Sequence, residues 1–133
     1  MKKLIILCLL AGGLLFGGIM FFSPHEPDAE ELKKLLNDNY SAFSSVASYF
    51  RTNTTDIKII YEQDAKKLPA ISDDLSQVFS STLLCIKPAD GIVVFSTGNI
   101  GDDTSHYIIY SPDGEPKGYP DAFSAGKTNW YLA

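Results

Sequence analysis

Residues 4–22 read LIILCLLAGGLLFGGIMFF, nineteen positions without a charge, a proline or a side-chain amide. Such a run has no polar face to turn toward water, so a soluble fold could hold it only as a fully buried helix. At about 1.5 Å per residue a helix of this length reaches roughly 28 Å, close to the roughly 30 Å hydrocarbon core of a bilayer. Residues 1–22 are therefore expected to form a transmembrane helix. Lys2 and Lys3 precede the run and the acidic stretch SPHEPDAEE follows it. Lysines are retained on the cytoplasmic side, so the N-terminus is expected inside the cell membrane and the following domain outside it.

A signal peptide shares the basic start, but its apolar stretch is typically only about 7–15 residues. Cleavage also needs small residues three and one before the cut. Ala11 and Gly13 give that spacing, yet a cut there leaves LLFGGIMFF on the product. A single-pass anchor is the expectation, and a cleaved, secreted protein is the alternative. Gly13 and Gly17 form a G-x-x-x-G pair, which is read as the ordinary glycine content of membrane segments and implies no partner helix.

Residues 23–28 carry Pro24 and Pro27 and are expected to be a spacer, with His25 solvated within it. Residues 29–133 are enough for one domain with a single apolar core and too few for two. From residue 23 onward there are nine basic and sixteen acidic side chains, a net charge of −7. A domain of that sign is repelled by phosphate backbones and anionic headgroups, which argues against nucleic acid as a partner. Cys85 is the one cysteine beyond the apolar run, so no disulfide within the domain is possible. Set between Leu84 and Ile86, it reads as a small buried hydrophobe.

The hydrophobic spacing predicts a long amphipathic helix over residues 29–51. Leu32, Leu35, Leu36, Phe43, Val46, Ala47 and Phe50 recur at intervals of three and four, and Asp28 with Glu31 has the capping-box spacing. Alternation predicts a strand over residues 57–62, and a short helix is expected from Ser72 or Asp73 onward, carrying Leu75, Val78 and Phe79. Residues 83–87 and 91–97 form a hairpin pattern around the turn Pro88-Ala89-Asp90-Gly91. A further strand is expected at 106–110, a reversal at Ser111-Pro112-Asp113-Gly114, and an edge strand at 128–132, with 116–127 irregular. Together these pieces predict an α+β fold in which the long helix packs on a four- to five-stranded, mainly antiparallel sheet.

Phe95, the segment Tyr110-Ser111-Pro112-Asp113-Gly114, Pro116 and the closing Asn129-Trp130-Tyr131 resemble a pattern in small uncharacterised bacterial envelope and immunity-like proteins. The resemblance spans about a quarter of the chain and implies no catalytic residue and no cofactor.

Two clusters bear on function. Asp102, Asp103 and His106 put two carboxylates and an imidazole within five residues, a weak candidate for a metal. A zinc site would need further ligands and a calcium loop more oxygens, so a solvated turn is the expected reading. Cys85, His106 and Asp121 can be written as a hydrolase trio, but no strand-to-helix nucleophile turn accompanies the cysteine. The second cluster is aromatic: Tyr107, Tyr110, Tyr119, Trp130 and Tyr131. Alternation places Tyr110 on the face opposite Tyr107, so the helix can cover only part of the set. The leading reading is ordinary strand aromatics that fill the core and its rim; as an exposed patch, Tyr107, Tyr110, Trp130 and Tyr131 are the candidate binding residues, able to stack on a protein or a glycan. The expected function is a membrane-anchored extracytoplasmic binding module with a protein partner in the envelope. A small hydrolase or metal-dependent enzyme acting around residues 102–106 is the alternative.

Overall fold

Asp28 begins the first helix, its carboxylate accepting a hydrogen bond from the Glu31 N–H at 2.9 Å. In the computed structural model, which describes residues 28–53, 55–80, 82–89, 91–101 and 105–133, the expected long helix is two. These are α1 (Ala29–Asp38) and α2 (Tyr40–Thr52). The break falls at Asn39, whose side-chain amide donates to the Leu35 carbonyl at 3.0 Å and accepts from Gln77 at 3.0 Å. An asparagine amide that takes a backbone carbonyl competes with the helix ladder, and the apolar spacing carries no trace of that competition. The stripe is otherwise as expected: Leu32, Leu36, Phe43, Val46, Ala47 and Phe50 are all buried.

Beyond α2 come β1 (Ile60–Tyr61), 3-10 turns at Glu62–Lys67 and Pro69–Ile71, and α3 (Ser72–Phe79). Then follow β2 (Cys85–Ala89), β3 (Ile92–Ser96), β4 (Tyr107–Tyr110), β5 (Phe123–Ser124) and β6 (Trp130–Leu132). The six strands form one sheet in the order β1-β2-β3-β4-β6-β5, with every neighbouring pair antiparallel. The fold is α+β, as expected, with one more strand than the sequence pattern suggested.

Three further local expectations need correction. The strand over 57–62 is cut to two residues, because β1 meets β2 only at Ile60↔Ile86 and Tyr61↔Cys85. The hairpin turn is tighter than Pro88–Gly91: β2 continues through Pro88 to Ala89, which pairs with Ile92. Gly91 there has φ +86°, a conformation glycine adopts without a Cβ penalty. The closing strand is not an edge, since Phe123–Ser124, from the stretch expected to be irregular, pairs outside it. Of the transmembrane helix nothing is described, because residues 4–22 lie outside the described residues; among those, no helix is long and apolar enough to cross a membrane.

The helices cover one face of the sheet. Phe43 of α2 meets Phe95 of β3 at 4.8 Å between ring centroids and Trp130 of β6 at 6.1 Å. Ile60, Ile86, Val93, Ile108 and Leu132 complete this side, and α3 adds Leu75, Val78 and Phe79. No helix covers the other face among the described residues. It carries Val94, Tyr107 and Ile109, each under 9% exposed, beneath two long loops.

Candidate functional site

The pleat of β4 assigns its side chains to opposite sides. Ile108 and Tyr110 face the helices, while Tyr107 and Ile109 face the loops. On the loop side a cleft of about 1090 Å³ opens over the sheet. Lys87, Ile92 and Val94 belong to its floor, Tyr107 and Tyr119 meet at one wall, and Ile100 stands on the other loop.

Both bordering loops are fixed by local hydrogen bonds. At the first, Thr97 and His106 pair across its base: the Thr97 N–H donates to the His106 carbonyl at 3.0 Å, and the His106 N–H donates to Thr97 Oγ1 at 3.0 Å. The Gly101 N–H donates to the Tyr107 hydroxyl at 3.1 Å, tying the loop to the sheet. Gly98 lies against Ser105, and a Cβ at Gly98 would collide with the Ser105 Oγ that donates to the Asn99 carbonyl at 2.8 Å. At the second loop, the Ser111 hydroxyl donates to the Gly114 carbonyl. The Ser111 N–H donates to the Asn129 carbonyl at 2.8 Å. Tyr119 is held by its own turn, with the Ala122 N–H donating to the Tyr119 carbonyl at 3.0 Å. The described parts of both loops are thus held by the chain's own hydrogen bonds, which lowers the ordering cost of binding.

Charge around the cleft is mixed. Lys87, Lys117 and His106 line it together with Asp113, Glu115 and Asp121. Burial, and then the nearby Tyr107, push the Tyr119 phenol above its ordinary range, so its hydroxyl stays protonated at neutral pH. The arrangement suits apolar and aromatic groups on the floor and hydrogen-bonding groups along the rim.

The structure divides the residues expected to bind. Tyr107 lies in the cleft wall and Tyr131 packs on the same face beside Ile109. Trp130 is 1% exposed and sits on the helix side, where Tyr110 lies 5.1 Å from it between ring centroids. Neither belongs to the cleft, because odd and even positions of β4 and β6 face opposite ways. Alternation separates Tyr107 from Tyr110, while Trp130, expected on an edge strand and offered as a binding candidate, lies in the core.

Asp102 and Asp103 lie outside the described residues; among those, no group of three His, Cys, Asp or Glu is arranged to hold a metal. His106 and Asp121 both line the cleft, but Cys85 is 1% exposed and its Sγ donates to the Gly98 carbonyl at 3.5 Å. Burial raises the thiol above its ordinary range against a weaker opposing effect from Ser96, which suits packing rather than nucleophilic attack. Lys87, Lys117 and Glu115 were not anticipated. The signal for them was two turn-rich segments flanking a single strand, which must then lie side by side over it. The chain matches no protein-family model, no curated protein and no solved structure.

Proposed function

We propose that residues 29–133 act as an extracytoplasmic binding module, held at the cell membrane by residues 4–22, that engages an envelope protein through the loop-side cleft. The observation supporting this is the two-sidedness of the sheet: helices cover one face, whereas the other carries a preformed cleft with an aromatic wall. A cleft of about 1090 Å³ is of the size that takes a few side chains of a partner. Neutralising an incoming toxin, the immunity-like role suggested by the C-terminal third, is one concrete form of this reading.

The test is co-purification of the tagged full-length chain from detergent-solubilised host membranes, comparing wild type with Tyr119→Ala. A defined protein retained by the first and lost by the second supports the reading. Identical retained proteins, with both chains equally folded, would remove the cleft from consideration. His106→Ala should keep the partner; loss of a hydrolytic activity in that variant would instead favour the enzyme alternative.

A further inference from the structure

A second groove of about 500 Å³ lies at the end of the sheet, where β2 runs past its neighbour. β1 pairs with β2 at Cys85 and Ile86, so among the described residues no strand lies on the outer side of residues 87–89. Pro88 falls within that unpaired length and has no N–H to offer an incoming strand. Recognition here must therefore run through side chains rather than through an added β-ladder.

Those side chains are of one sign. Arg51 at the end of α2, Lys58 in the following segment and Lys87 of β2 all line the groove, and no carboxylate among the described residues does. None of the three forms an ion pair among the described residues, whereas Lys33, Lys34 and Lys67 each do. Ile57, Pro88 and Ile92, each partly exposed, provide apolar surface between them. Three cations without an ion pair among the described residues, lining one partly apolar groove, stand out in a domain whose overall charge is strongly negative.

We infer that this groove binds an acidic peptide segment, its carboxylates meeting Arg51, Lys58 and Lys87 and an apolar side chain resting on Ile57 and Ile92. The long-range repulsion of the domain disfavours densely charged surfaces such as anionic membranes, while a short segment mixing acidic and apolar residues answers both features of the groove. Lys87, Ala89 and Ile92 also line the loop-side cleft, so the groove continues it around the sheet end. The inference rests on the reading of that cleft as a protein-binding surface and adds the charge of the partner.

The experiment uses the full chain in neutral detergent and two dye-labelled peptides, Glu-Glu-Phe-Glu-Glu and its Gln-Gln-Phe-Gln-Gln counterpart, followed by fluorescence anisotropy. The acidic peptide should bind at least about tenfold tighter, and the difference should shrink when ionic strength rises to about 0.5 M. Arg51→Ala combined with Lys58→Ala should weaken the acidic peptide about tenfold and leave the neutral one unchanged. Lys66→Ala, on an exposed lysine outside the groove, should change neither. Equal binding of the two peptides overturns the inference, as does equal loss in the Lys66 variant. Retention of the wild-type chain, but not the double variant, on anionic phospholipid vesicles without binding of the acidic peptide also overturns it. Tyr119→Ala separates the two levels: if it abolishes partner capture while the double variant has no effect, the cleft stands and only the acidic specificity falls.

Discussion

Tyr107 and Tyr119 meet edge to face above the loop side of the sheet, their ring centroids 5.3 Å apart and their planes at 70°. One ring is anchored in β4 and the other in a turn twelve residues on, so this contact fixes the second loop against the sheet. Edge-to-face pairs of this kind contribute about 0.5–1.5 kcal/mol beyond the area they bury.

The contact has an alkaline signature. The Tyr119 phenol is raised by burial and then by Tyr107, so the folded state favours its neutral form. Its contribution to stability is complete below the unfolded tyrosine value of about 10 and is lost as pH rises through the higher folded value. Tyr119→Phe should therefore flatten the fall in urea midpoint between about pH 9 and pH 11 relative to wild type. Parallel curves for the two proteins would mean that the ring is not desolvated in solution.

Trp130 and Tyr131 are neighbours with opposite fates. Trp130 is 1% exposed and touches Phe43, Phe95, Tyr110 and Tyr40, whereas Tyr131 faces the loops and is only partly buried. Trp130→Ala should cost about 3–5 kcal/mol, the usual loss for emptying a large core site. Tyr131→Ala should cost less than half of that. Thermal melts of both variants would check the order, and an unaltered melt for Trp130→Ala would contradict the burial.

That pair also shows how much the sequence revealed. The class of fold, the capping by Asp28, the buried stripe of α1 and α2 and the opposite facing of Tyr107 and Tyr110 all follow from local periodicity, which one stretch of chain carries within itself. The Asn39 amide that takes the Leu35 carbonyl at the helix break is also held by Gln77, 38 residues away. Likewise Trp130 is buried because Phe43 and Phe95, distant in the chain, cover its face of β6. Both depend on partners distant in the chain, and alternation within a strand gives no sign of them. The cleft is of the same kind: the two loops are recognisable as turn-rich segments, but their meeting over β4 is set by strand order.

Asp64 should make the domain sensitive to acid. Its carboxylate accepts from the Tyr61 N–H at 2.9 Å and lies 3.3 Å from Lys67 Nζ. The Tyr61 bond is the main reason its carboxyl is held below the usual range; burial opposes the shift and Lys67 adds to it. The stabilisation is present above the unfolded value of about 3.9 and disappears as pH falls through the lower folded value. Asp64→Ala should cost about 0.5–2 kcal/mol at neutral pH, in line with loss of a helix-start carboxylate, and nothing extra at about pH 2. Chemical denaturation at the two pH values measures the difference, and an equal cost at both would assign the effect to packing instead.

Cys85 offers a test of how firmly the first loop is closed. The thiol lies in β2 opposite Ser96, under Gly98, and both Cys85 Sγ and Ser96 Oγ donate to the Gly98 carbonyl, at 3.5 and 2.6 Å. Only the thiolate, which burial disfavours, attacks the sulfur of a disulfide reagent and displaces its leaving thiolate, and the two meet only when the loop lifts. In a Cys8→Ser background, native Cys85 should react at least about a hundredfold more slowly than in urea, because protection equals the free energy of opening. Gly98→Ala, which drives a methyl into Ser105, should speed the reaction by loosening the loop without removing the cysteine. Fast modification of the native wild type would show the loop opening freely in solution; it would also restore Cys85, His106 and Asp121 as a trio able to meet a substrate.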